Sequence, residues 1–152
     1  MTRPFPRQSF GLSPGDVVSV DGRDHWLEGA WLLSEIDLPV AAFFFASDAT
    51  LALQAAPRTD LHALAPCEVD VAADAPFSVE HAETRFERER RIPVELTCFG
   101  RAPELPAREA LFLEYRGFGG DVLLVLGHGS RSWAWLGRSL DGARVERWGT
   151  RV

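Results

Sequence analysis

The stretch Ile92-Pro93-Val94-Glu95-Leu96-Thr97-Cys98 places Ile92, Val94, Leu96 and Cys98 at every second position, with Pro93, Glu95 and Thr97 between them. Alternation of this kind matches the pleat of a strand with one buried face, and it does not fit the period of a helix. On this reading Cys98 is an inert core thiol. Just upstream, Glu80, Glu83, Glu87 and Glu89 are balanced by Arg85, Arg88, Arg90 and Arg91. In an extended chain Arg85, Glu87, Glu89 and Arg91 share one face, which predicts a solvated, ion-paired edge that resists aggregation.

Working outward toward the N-terminus, the same kind of pattern recurs. Ser13-Pro14-Gly15-Asp16 is a turn signal before the short β run Val17–Val20, and Asp21-Gly22 is a hairpin dipeptide. His25–Ile36 carries bulky residues on both parities, Trp26 and Leu32 against Leu27, Trp31 and Leu33, which suggests a strand bent at Gly29. Val40–Ala46 suits a buried strand, and Ala49–Gln54 its return arm. Pro57 and Pro66 leave room for one helical turn within Ala55–Ala65. Glu68–Val71 and Phe77–Arg85 alternate around Pro76.

Toward the C-terminus, past Pro103 and Pro106, four runs follow: Ala110–Arg116, Asp121–Gly127, Ser130–Gly137 and Ala143–Trp148. Their connectors are Gly117-Phe118-Gly119-Gly120, Gly127-His128-Gly129 and Asp141-Gly142. Val122–Leu126 is apolar on both faces and belongs in the middle of a sheet or core. The expectation is an all-β meander of about ten to twelve short antiparallel strands, a sandwich or partly open barrel with at most one or two short helical turns. Residues 1–11 read as an N-terminal extension and 12–152 as a single β-rich domain, consistent with the length of 152.

Composition narrows the function classes. Sixteen basic residues, all Arg, face 22 acidic ones for a net charge of −6, and the chain has no Lys and no Asn. Schiff-base and P-loop lysine chemistry are excluded, and the acidic balance argues against a dedicated nucleic-acid binder. Cys67 and Cys98 form no Cys-x-x-Cys pair and no disulfide framework. No apolar run of about 7–15 residues follows Arg3 and Arg7, as a secretory leader would need. The most apolar windows, Pro39–Ala46 and Val122–Gly127, fall far short of the ~20 residues of a membrane helix. A cytoplasmic protein without a membrane segment is expected.

The segments Gly15-Asp16-Val17-Val18, Asp21-Gly22 and His25-Trp26-Leu27-Glu28-Gly29 resemble the opening of the DUF4178 family of bacterial proteins. Ala110-Leu111-Phe112-Leu113-Glu114-Tyr115, Leu136-Gly137-Arg138 and Val145-Glu146-Arg147-Trp148 resemble its closing hairpins. The resemblance spans Leu12–Trp148, and Val40–Phe45 departs from the family's central strand. It implies a β-rich bacterial domain and no particular mechanism.

Motifs that carry chemistry are sparse. His25, His62, His81 and His128 lie too far apart for a local metal motif, and His81-Ala82-Glu83 lacks a following Cys-x-x-Cys. Gly127-His128-Gly129-Ser130-Arg131 is not a nucleophile elbow, and Gly117–Asp121 lacks the spacing and the helix of a phosphate cradle. No catalytic residue, metal site or cofactor is assigned.

The candidate binding residues are Arg131, Trp133 and Trp135 on one strand parity, together with Arg147 and Trp148. This tail carries five Arg against Asp141 and Glu146, so guanidinium and indole groups are available to stack on a ligand. Indoles at alternate strand positions also serve as core, and Trp26, Trp31 and Trp148 are available to join them. The reading is a non-catalytic accessory domain that recognises a protein partner or small ligand. Its rivals are a small hydrolase or lyase with a carboxylate/His site in a barrel, and single-strand nucleic-acid binding through the Arg/Trp strand.

Overall fold

Asp21 and Gly22 both adopt left-handed backbone angles (φ 53° and 79°), the requirement of a two-residue hairpin whose twist matches its strands. They join β1 (Asp16–Val20) to β2 (Arg23–Glu35). In the computed structural model, residues 3–47, 52–55, 60–69, 75–140 and 145–150 are described, of which 52–55, 145 and 147–150 by their backbone alone. The further strands are β3 (Leu38–Ala46), β4 (Ala52–Ala55), β5 (Leu61–Cys67), β6 (Ser78–His81), β7 (Thr84–Gly100), β8 (Glu109–Arg116), β9 (Val122–His128), β10 (Arg131–Ser139) and β11 (Val145–Thr150). Two short helical turns, α1 (Arg7–Phe10) and a 3₁₀ turn at Phe118–Gly120, complete the described elements.

The eleven strands form one antiparallel sheet in the order β11-β1-β2-β3-β4-β5-β10-β9-β8-β7-β6. The fold is all-β, as the alternation predicts. A further ladder runs between β2 and β7, from Gly29↔Gly100 to Ser34↔Glu95. Eight strands, β2 through β5 and β7 through β10, therefore make a hydrogen-bonded circuit. The pair β1–β11 and the strand β6 project from it as flaps with free edges, so the sheet as a whole is not closed.

The β2–β7 ladder stops at Ser34↔Glu95, one residue before β2 ends and close to a proline of β7. Leu96 N–H donates to Arg108 on the β8 side, while Arg101 N–H donates to Glu28 on the β2 side. Odd-numbered residues of this part of β7 thus direct their peptide groups at β2. Pro93, the next odd position beyond Glu95, has no N–H to donate there.

Alternation sorts the side chains into three cores. Inside the circuit lie Trp31 and Leu33 of β2, Phe43 of β3, Val94 and Leu96 of β7, Phe112 of β8, Leu124 and Leu126 of β9, and Trp135 of β10. Ala102 and Leu105 of the β7–β8 loop pack against this core, and Trp31 Nε1–H donates to the Pro103 carbonyl at 2.8 Å. The outer faces of β2 and β3 (Ala30, Leu32, Ala42, Phe44) are covered by Phe5, Phe10, Leu12 and Val18. The outer faces of β8, β9 and β10 (Leu113, Tyr115, Leu123, Val125, Ala134) are covered by Ala75, Val79 and Phe86. This double coverage explains the bulky residues on both parities of β2 and β9. Residues 1–11, expected as an extension, supply Phe10 to the core and Arg7 to a bidentate pair with buried Asp16, both bonds 2.7 Å.

Several expectations are corrected. Cys98 follows the parity of Ile92, Val94 and Leu96 but is exposed, because β8 pairing ends at Glu95 and leaves the far end of β7 beyond the wall. Arg85, Glu87, Glu89 and Arg91 are all exposed, with Arg85–Glu87 and Glu89–Arg116 ion pairs, as expected, but a register shift between Arg88 and Arg90 interrupts their common face and turns Arg90 inward. Residues 61–65 are strand, not a helical turn, and Glu68 and Val69 lie outside any strand. Ala49–Leu51, Pro57, Val71 and the Asp141-Gly142 turn lie outside the described residues.

Candidate functional site

Three places bring chemically capable side chains together. The first is one end of the barrel, where the inward parity of β8 continues from Phe112 to Glu114 and Arg116. Glu114 is buried; it accepts from Arg90 Nε at 2.5 Å and lies 3.0 Å from Arg116 Nη2. Arg116 Nε also donates to Glu89, and Asp60 is 3.6 Å from Arg116 Nη2. Arg90 sits 5.5 Å over the Phe112 ring, donates through Nη1 to the Val40 carbonyl at 3.4 Å, and keeps a buried Nη2 without a hydrogen-bond partner.

His62, on the adjoining part of β5, is buried with Nε2 3.1 Å from the Gly120 carbonyl. Burial pushes its imidazole below the ordinary value, the Gly120 carbonyl pulls the other way, and Arg116 adds to the depression. Gly137 of β10 makes the room: a Cβ there would overlap Val122, Leu64 and His62. The arrangement is a charge network around Glu114 beside a neutral imidazole. Each carboxylate oxygen of Glu114 is taken by a guanidinium, so the group is held as an ion-pair partner and not presented as a base.

The second place is the Arg/Trp strand. Trp135 is 8% exposed, its ring 5.0 Å from Phe43 and 5.9 Å from Trp31. Trp133 is half-buried at the rim, with the exposed Arg131 guanidinium 5.0 Å over its ring. Arg147 and Trp148 belong to β11, which pairs with β1 (Val18↔Arg147), whereas β10 pairs with β5 and β9. Their side chains lie outside the described residues. Trp31 joins the indole cluster, as the alternate placement allows.

The third place had no sequence signal. An open cleft of about 550 Å³ is lined by Ser34–Ile36, Pro93–Glu95, Glu109–Leu111 and Gly127–Gly129. With Val94 and Leu126 pointing inward, alternation sends Pro93, Glu95, Glu109, Leu111 and Gly127 to the outer wall. The cleft thus lies on the outside of the barrel, across β7, β8 and β9, with the β2–β3 hairpin as its raised side. His128 Nδ1 is 2.8 Å from the Glu109 carbonyl and ties two of its walls. Its end at His128 and Gly129 adjoins Arg131, which pairs with His128. Four short segments far apart in sequence make it, so only the strand order could reveal it.

The remaining histidines are dispersed: His25 is buried, His81 half-buried and His128 exposed. Among the described residues, no three His, Cys, Asp or Glu side chains converge as a metal site would require. Burial pushes the Cys67 thiol up, and the Leu136 backbone opposes it weakly, which does not favour a reactive thiolate. Among the described residues no helix is long and apolar enough to cross a membrane. No family model, curated protein or solved structure matches the chain.

Proposed function

We propose that this chain is a non-catalytic accessory domain that recognises a protein partner, in keeping with its resemblance to the bacterial DUF4178 proteins and an expected place in the cytoplasm. One observation carries the reading. Large apolar side chains stand exposed at turns and strand ends: Phe118 at 95%, Ile36 at 88%, Leu38 at 69% and Phe77 at 60%. Solvated hairpin tips ordinarily carry polar residues, and Ile36 and Leu38 stand together on one hairpin, the start of the kind of contiguous apolar patch that marks an interaction surface. The interior charges, by contrast, are spent on one another around Glu114.

The hydrolase reading would draw on His62, Glu114 and Asp60, which share one end of the barrel. A photo-reactive amino acid placed at position 36 or 118 in growing cells separates the readings. Discrete adducts to another polypeptide are expected from one or both positions, with none from the solvated turn at Glu83. Absence of adducts from both, with the chain folded and present at its native level, would overturn the protein-recognition reading.

A further inference from the structure

We infer that the cleft outside β7, β8 and β9 is a docking groove for an extended polypeptide segment in which Arg or Lys alternates with apolar residues. The inference rests on the protein-recognition reading above and gives it a site and a partner chemistry. The cleft floor is apolar, set by Pro93 and Leu111, and its volume of about 550 Å³ falls in the range of formed ligand sites. Its sides carry Glu35, Glu95 and Glu109, all exposed. None of the three is ion-paired among the described residues, whereas Arg85, Arg90 and Arg116 all find carboxylates. Three uncompensated carboxylates around an apolar floor complement a cationic, part-apolar partner.

The β2–β3 hairpin supplies the second feature. Ile36 and Asp37 take φ 47° and 65°, a two-residue turn whose preferred occupants are Asn and Gly. A β-branched residue in the left-handed region is a true outlier, and such outliers cluster at ligand clamps and other functional sites. Here it stands Ile36 up on the groove's side, with exposed Leu38 beside it, and Arg3 pairs with Asp37 at 3.1 Å across the tip. Contact therefore continues past the cleft itself, which suits a polypeptide better than a small molecule. Pro93 gives the groove no N–H at its β2-facing edge, so side chains and charge, more than strand addition, would hold the segment.

The test is selection of random displayed peptides, about twelve residues long, on the whole chain, followed by fluorescence anisotropy with the synthesised winners. Enriched sequences should alternate Arg or Lys with Leu, Ile, Val or Phe, and binding should weaken as NaCl is raised. The Glu35→Gln/Glu95→Gln/Glu109→Gln variant should bind them about tenfold more weakly or worse. Ile36→Asn/Asp37→Gly, which installs the turn's preferred residues, should weaken binding about fivefold while its thermal midpoint stays level or rises. Winners that are acidic, or that bind the triple Gln variant as tightly as the native chain, overturn the groove. If such winners instead lose binding on Phe118→Ser, the protein-recognition reading stands and only the groove falls. A selection that enriches no peptide overturns the groove, while adducts from position 36 or 118 would still sustain protein recognition.

Discussion

Glu114 shows how one residue can organise one end of a barrel. Its carboxylate is buried between Arg90 and Arg116; removing it strands the Arg90 guanidinium, while Arg116 keeps Glu89 and Asp60. Glu114→Gln should cost about 3–5 kcal/mol in urea unfolding, whereas Arg90→Met/Glu114→Leu should recover most of that loss. The recovery distinguishes the penalty of an orphaned charge from the worth of the pair. His62 adds a pH term with a definite sign. Its folded pKa is depressed, first by burial, so the unfolded chain takes up a proton before the folded one does. The contribution is complete above the unfolded value of about 6.5 and is lost as pH falls from there toward the depressed folded value, with a slope of at most about 1.4 kcal/mol per pH unit. Chemical denaturation between about pH 7.5 and pH 5 should show this slope, and His62→Gln should flatten it.

At the scale of the element, β7 decides the shape. It pairs with β6 at its start, with β8 from Glu87 to Glu95, and with β2 from Glu95 to Gly100. The switch to β2 needs a close backbone approach at Gly29, where a Cβ would collide with the carbonyl oxygens of Arg101 and Phe99. Gly29→Ala should destabilise by about 2–3 kcal/mol, the upper end of overpacking costs. Hydrogen exchange should locate the damage: amides of 97–101 lose protection while those of the β8–β9 ladder keep it. Uniform loss across both ladders would show that the β2–β7 closure is not a separable seam. The bend at Gly29 and the hairpin at Asp21-Gly22 were legible in sequence, because both are short-range steric demands. The inward turn of Arg90 was not, because a register shift between Arg88 and Arg90 reverses the parity that alternation assumes.

For the whole molecule, the indoles record how the layers nest. Trp31 and Trp135 lie inside the circuit and Trp133 at its rim. Acrylamide quenching should therefore leave a large protected fraction, and Trp135→Phe should remove protected and not accessible emission. Full accessibility of the indoles would contradict the nested cores. The three-core arrangement also accounts for the apolar content of β2, β3 and β9: each separates the interior from an outer cover, so both faces are buried. The barrel wall left uncovered between the two outer layers is where the cleft opens.

Alternation at Ile92, Val94 and Leu96, the two-sided apolar run Val122–Leu126 and the turn dipeptides were enough to establish an antiparallel all-β chain, since pleat and turn geometry act over a few residues. Which strands would meet was another matter. Closure through β2 and β7, exposure of Cys98, the meeting of His62 with Gly120 and of Arg90 with Glu114, and the assembly of the cleft all depend on register between distant segments. Register is set by how the buried faces fit together in three dimensions, and no local pattern encodes that fit.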